Sequence, residues 1–117
     1  MAFPSGSGNL NNQFAEVLDK LVPVLSQTEG QIMVSGHTDN IPLSAGARYQ
    51  SNWELSSARA TAVVHELLAA GGIDGSRVTI QGFGDSRPLE GNDSVEGRAK
   101  NRRVEISILA PPAAATQ

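Results

Sequence analysis

Gln31-Ile32-Met33-Val34-Ser35-Gly36-His37-Thr38-Asp39 is the stretch that decides the fold. Ile32 and Val34 face one way and Gln31, Met33 and Ser35 the other, the two-residue period of a strand with one buried and one open face. The strand is read over Gln31 to His37, and it delivers Asp39 to its C-terminal end. Gly36 permits close approach by another backbone there. After an irregular loop comes Ser51-Asn52-Trp53-Glu54-Leu55-Ser56-Ser57-Ala58-Arg59-Ala60. Ser51 and Glu54 stand at capping-box spacing, so a helix begins near Asn52. Ala60, Val63, Val64, Leu67 and Leu68 form its apolar stripe, and Gly71-Gly72 stops it. Arg59 rides in an early turn, off that stripe. An acid at a strand end beside an arginine at a helix start makes a grip for a zwitterion: a carboxylate only accepts, an ammonium only donates, and a guanidinium fork can hold a carboxylate in two places.

Towards the N-terminus, Phe3-Pro4-Ser5-Gly6-Ser7-Gly8 is turn-rich and is read as the end of a short edge strand, where a proline is tolerated. Asn9, Asn11 or Asn12 caps a first helix. Its stripe is Phe14, Val17, Leu18, Leu21 and Leu25. Pro23 is expected to kink or weaken the last turn, and Thr28-Glu29-Gly30 ends it. Towards the C-terminus, Arg77 to Gly84 is a strand with Val78 and Ile80 inward. Asp85 to Lys100 is a polar connection holding a short helical turn. Arg102 to Leu109 is the last strand, with Val104, Ile106 and Ile108 alternating against Arg103, Glu105 and Ser107. The expected architecture is a two-layer α/β sandwich over residues 3–109, in the order β-α-β-α-β-β, with helices on one face of a mixed sheet. The Pro/Ala-rich tail, residues 110–117, is expected to be disordered.

The 117 residues make one domain. With 39% hydrophobic and 18% charged residues the chain is globular in type, and its net charge of −3 weighs against a nucleic-acid binder. There is no cysteine, hence no disulfide and no thiolate metal site. No apolar run is long enough to span a bilayer, and the first residues do not make a signal peptide. His37 has neither an HExxH pattern nor a second ligand at metal spacing, and no nucleophile elbow is present. No metal, cofactor or catalytic residue is therefore expected. His37 is read as a space-filling residue, His65 as exposed, and Trp53 as a pocket wall or an anchor of the helix start. The residues alone leave open a purely structural ion pair between Asp39 and Arg59. In Asn101-Arg102-Arg103, one arginine is expected to brace the pocket loop and the other to be solvated.

Taken together, Gly36-His37-Thr38-Asp39, Asn52-x-x-Leu55-Ser56-x-x-Arg59-Ala60, Gly82-x-Gly84, Pro88, Asn92 and Gly97-Arg98-Ala99-x-Asn101-Arg102-Arg103-Val104-Glu105 resemble the OmpA-like peptidoglycan-binding domain. The resemblance covers nearly the whole chain in several ordered blocks. Within the family, Ile41-Pro42-Leu43 and Ser51 to Ser56 are similar to flagellar stator B subunits of the MotB and PomB type. TssL proteins of type VI secretion with an OmpA-like extension share the Ser-Asn-Trp-like segment. The resemblance implies a non-catalytic periplasmic module that anchors a motor stator to peptidoglycan. It further implies a homodimer, an inner-membrane helix upstream of this sequence, and a MotA/PomA-type partner. The ligand it implies is the diaminopimelate of the stem peptide, with its ammonium on Asp39 and its carboxylate on Arg59. Asn52, Leu55 and Ser56 would line the pocket, and Thr38, Asn101 and Arg103 would form its rim. The alternatives are a wall anchor of another envelope protein, such as a secretion-system component, an outer-membrane lipoprotein or a porin, and a wall-active hydrolase.

Overall fold

The structure, a computed structural model, describes residues 3–109. The first helix, α1 (Asn12–Gln27), opens under Asn11, whose side chain accepts the Phe14 N–H at 2.8 Å. Strand β1 (Gln31–Gly36) follows, then helix α2 (Asn52–Ala69). A single 3-10 turn, Gly75–Arg77, leads into β2 (Val78–Gly82), and α3 (Val95–Asn101) precedes β3 (Val104–Leu109). The strands lie in the order β2-β1-β3, β1 parallel to β2 and antiparallel to β3. Register places Val34 beside Ile80 and Ile106, and Ile32 beside Val78 and Ile108, so these residues share one face. That face meets α2. Ile32 and Val34 join Leu18, Val22 and Leu25 of α1, Ala60, Val63, Val64 and Leu67 of α2, and Phe3 and Ile73 in one core. The α/β sandwich with a mixed sheet is thus the observed fold.

Two glycines set how closely α2 lies on the sheet. Gly36 and Gly82 are register partners on β1 and β2. A β-carbon on Gly36 would stand 1.9 Å from the Ser56 carbonyl oxygen, and one on Gly82 would stand 2.1 Å from Ser57 Oγ. No side chain fits at either place, and this contact brings the first turns of α2 down beside the end of β1.

Several expectations need correction. Among the described residues the N-terminal segment forms no strand, and the order is α-β-α-β-α-β. Phe3 is instead driven into the core, and arginine side chains satisfy the segment's carbonyls. Pro4 and Ser7 accept from Arg59, and Phe3 accepts from Arg102. The stripe of α1 is rotated from the expected one: Leu18, Val22 and Leu25 are buried, whereas Val17 and Leu21 are 51% and 38% exposed. Leu68 of α2 and Ile80 of β2 also reach solvent. Helix α1 continues through Pro23 for another turn, and its end is held by Arg77, which donates to the carbonyls of Leu25, Thr28 and Gly30. The tail expected at residues 110–117 lies outside the described residues.

Candidate functional site

Asp39 is 5% exposed, three residues past the end of β1. The backbone that presents it is tied on every side. His37 N–H donates to the Arg103 carbonyl and Thr38 N–H to the Gly84 carbonyl, both at 2.9 Å. Thr38 Oγ1 donates to the Asp39 carbonyl at 2.8 Å. From α2, Asn52 Nδ2 donates to the carbonyls of Asp39 and Ile41 at 3.4 and 3.2 Å. Ser56, wholly buried, accepts the Gly84 N–H at 2.9 Å and donates to the Trp53 carbonyl. The Asp39 carboxylate accepts the Ile41 N–H at 3.1 Å on Oδ1 and the Arg102 guanidinium at 3.0 Å on Oδ2. Each oxygen keeps acceptor capacity for a further donor.

Helix α2 starts beside this loop. Ser51 Oγ accepts the Glu54 N–H at 3.2 Å, the forward half of the capping box. The reciprocal bond falls one residue early, from Gln50 N–H to Glu54. Two turns on, Arg59 has no exposed surface. It donates through Nε to Ser7 O at 2.9 Å, through Nη1 to His37 O at 3.0 Å and through Nη2 to Pro4 O at 2.9 Å, and stands 5.2 Å from the Phe3 ring centroid. Burial lowers its pKa to about 10, against the pull of Asp39 and with a push from Arg102. It stays cationic near neutral pH. Arg59, read as lying off the buried stripe of α2, is in fact wholly buried and braces the N-terminal segment against the end of β1.

Asp39, Asn52, Leu55 and Arg59 line one cavity of about 440 Å³, together with Ser5-Gly6 of the N-terminal segment and with Ile41-Pro42-Leu43-Ser44, Ala47 and Arg48 of the 40–50 loop. Asp39 and Arg59 form no ion pair with each other, so the cavity lies open beside both. Thr38 and Ser56 sit behind the lining and shape its backbone. The structure does not bring Asn101 or Arg103 to the cavity. Asn101 is wholly buried and spends its amide on the 89–92 loop. It accepts from Leu89 N–H and Glu90 N–H and donates to Glu90 O and Asn92 Oδ1, all at 2.8–2.9 Å. That is a full complement for a side-chain amide. Its reach to the site is indirect: Asn92 Oδ1 also accepts the Asn40 N–H at 3.3 Å, next to Asp39. Arg103, expected to be the solvated one of the pair, instead pairs with Glu105 at 2.6 Å and donates to the Arg87 carbonyl at 3.2 Å.

Of two further residues at the site, one was foreshadowed by the sequence without being singled out, and the other carried no signal there. Arg102 is the ion-pair partner of Asp39 and fulfils the brace expected of one of the two arginines. Arg48 lines the cavity from the loop, in a stretch with no periodic pattern to mark it. Trp53 is 55% exposed and faces a neighbouring cleft that shares Pro42, Leu43 and Asn52 with the cavity. His37 is buried and stacked on Phe83, with ring centroids 5.2 Å apart. Its pKa is lowered by burial, with Arg103 and Arg87 adding to the effect and Glu105 opposing it.

Comparison with known proteins gives a consistent result. The OmpA family matches residues 2–102. Motility protein B of Bacillus subtilis is 42% identical over 85 residues, 73% of this chain and 32% of that protein. Motility protein B of Escherichia coli K12 is 35% identical over 107 residues, 92% of this chain and 34% of that protein. The chain thus spans about a third of these relatives. Among solved structures, the C-terminal domain of Helicobacter pylori MotB superposes with a TM-score of 0.87 at 27% identity, covering 97% of this chain and 86% of that one. The cell wall anchor of the T6SS from Pseudomonas aeruginosa gives 0.81 at 43% identity, covering 93% and 75%. Among the described residues no helix is long and apolar enough to cross a membrane.

Proposed function

The chain belongs to the OmpA family, and on that premise we propose that it is a non-catalytic peptidoglycan-binding module that grips the diaminopimelate of a stem peptide. The observation that carries the reading is the shared cavity: an aspartate and an arginine from different elements flank one open space, beside the N-terminal end of α2. The ligand's ammonium sits on the Asp39 carboxylate. Asp39 is held in place by Arg102 and the Ile41 N–H, so little ordering is left to the moment of binding. The ligand's carboxylate sits over the start of α2, where unpaired backbone N–H groups and the helix dipole favour an anion. Arg59 reinforces that field from within the wall. Asn52 and Leu55 shape the pocket, with Ser56 and Thr38 behind it. Asn101 supports the Asp39 loop through Asn92, and Arg103 is a brace of the sheet rather than a ligand group.

Each charge-assisted contact contributes about 1.5–3 kcal/mol. A small head group with two of them binds on the order of micromolar to millimolar. Two modules on one polymer hold far better through effective concentration. The likeness to motility protein B supports a periplasmic stator anchor that works as a homodimer. Its membrane helix and its MotA/PomA-type partner would lie in or through sequence upstream of this chain. The 43% identity to the T6SS wall anchor supports a second reading, the same grip serving a secretion system. The upstream sequence separates the two: a hydrophobic span carrying one aspartate marks the ion path of a stator. The binding reading is tested by isothermal titration with diaminopimelate-containing muropeptide. Asp39→Asn should abolish measurable binding while leaving the circular dichroism spectrum unchanged; equal affinity in parent and variant removes Asp39 from the site. Incubation with purified sacculi should release no fragments, and release would make the protein an enzyme.

A further inference from the structure

We infer that Arg48 is a specificity residue of this site, reading a second carboxylate on a ligand whose ammonium–carboxylate head group occupies the Asp39 end; this rests on the binding reading above. Charge is the first pointer. The cavity lining holds one carboxylate, Asp39, and two guanidiniums, Arg48 and Arg59. A third guanidinium, Arg102, pairs with Asp39 from outside the lining. The site is therefore locally cationic in a protein of net charge −3. A simple zwitterion, carrying no net charge, leaves that surplus unanswered. A peptide acid with one more carboxylate than ammonium answers it.

The second step is access. Arg59 has no exposed surface and three of its nitrogens are engaged by backbone carbonyls. It acts on a ligand through the wall. Arg48 is exposed, and among the described residues it makes no hydrogen bond or ion pair. Its guanidinium approaches the Tyr49 ring, with Cζ 5.9 Å from the ring centroid. Of the two guanidinium-bearing residues in the lining, Arg48, on the 40–50 loop, is the exposed one. The third step is room. A cavity of about 440 Å³ is larger than one amino-acid head group needs, so the neighbouring part of a peptide reaches the loop side.

The test is isothermal titration of the parent and Arg48→Gln with a synthetic diaminopimelate tripeptide. The same titration is repeated with versions in which each carboxylate is converted to its amide in turn. Arg48→Gln should bind the free acid about tenfold more weakly, one charge-assisted hydrogen bond's worth. Amidating one particular carboxylate should cost the parent a similar factor and cost Arg48→Gln nothing more. Arg48→Lys should recover part of the loss. Equal affinity of parent and Arg48→Gln for every form overturns the inference, and so does the same proportional loss for every amide, which marks a general charge effect. Asp39→Asn is the control. Binding that needs Asp39 but not Arg48 overturns this inference alone, whereas binding that needs neither retires the underlying site as well.

Discussion

Replacing Arg59 by leucine should unfold more of the protein than a binding residue on a helix surface would. The side chain donates to three carbonyls, on Pro4, Ser7 and His37, at 2.9–3.0 Å, and is wholly buried. Three charge-assisted bonds at roughly 1.5–3 kcal/mol each set a gross loss of about 4–9 kcal/mol. Against this, the buried charge departs. The depression of its pKa to about 10, the balance of burial, the pull of Asp39 and the push of Arg102, corresponds to a net cost of the charged form on the order of 3 kcal/mol, which the variant no longer bears. The net expectation is a destabilisation of about 1.5–6 kcal/mol, a large share of the ~5–15 kcal/mol available to a domain. Urea unfolding followed by circular dichroism measures it. At ~1–3 kcal/mol per molar urea the midpoint should fall by at least about 0.5 M at unchanged slope. Arg59→Lys should fall between parent and leucine, since an ammonium keeps the charge but not the three-way fork. A midpoint within ~0.3 M of the parent would refute the claim that Arg59 braces the N-terminal segment. The consequence for function is practical: lost ligand binding in an Arg59 variant identifies a contact only if the variant is shown to be folded.

Other consequences follow from the same geometry. Asn101→Ala removes all four hydrogen bonds of a buried amide and should cost about 2–4 kcal/mol in urea unfolding; because Asn92 links the 89–92 loop to Asn40, ligand affinity should fall as well. His37 is held below the ordinary imidazole range, first by burial and then by the Arg103 and Arg87 charges. Between its folded and unfolded pKa values the unfolded chain binds a proton that the native state refuses, so stability is full above about pH 6.5 and falls as the pH drops through the window beneath it. Thermal melts between pH 8 and pH 5 should show that decline, and His37→Phe should flatten it; an unchanged slope in the variant would exonerate His37.

Much of the architecture could be read from periodicity. Ile32 and Val34 announced β1, Ser51 and Glu54 announced the start of α2, and the Val104–Ile108 alternation announced β3. These are local signals, set by residues two to eight apart. What stayed hidden depends on residues far apart in the chain. Arg59 meets carbonyls 52 and 55 residues away, and Arg102 meets one 99 residues away. An arginine–carbonyl brace leaves no pattern, so the segment at Phe3–Gly8 resembled a strand for want of another home for its backbone. In α1, the apolar stripe was broad enough to fit two rotations about the helix axis, and only the position of β1 and α2 selects Val22 over Val17 and Leu21. At the site, Asp39 and Arg59 were legible because charged residues stood at element ends. Arg102 was identifiable only as one of two adjacent arginines, and Arg48 lay in an irregular loop.

The most direct test is a crystal structure of the protein with the diaminopimelate tripeptide bound. The account predicts the ligand's ammonium within about 3 Å of the Asp39 carboxylate, a charge-assisted contact, and its carboxylate over the first turn of α2. A tripeptide seated elsewhere, such as the groove between Phe14 and Leu89, or one lying in the cavity with its ammonium turned away from Asp39, would contradict it.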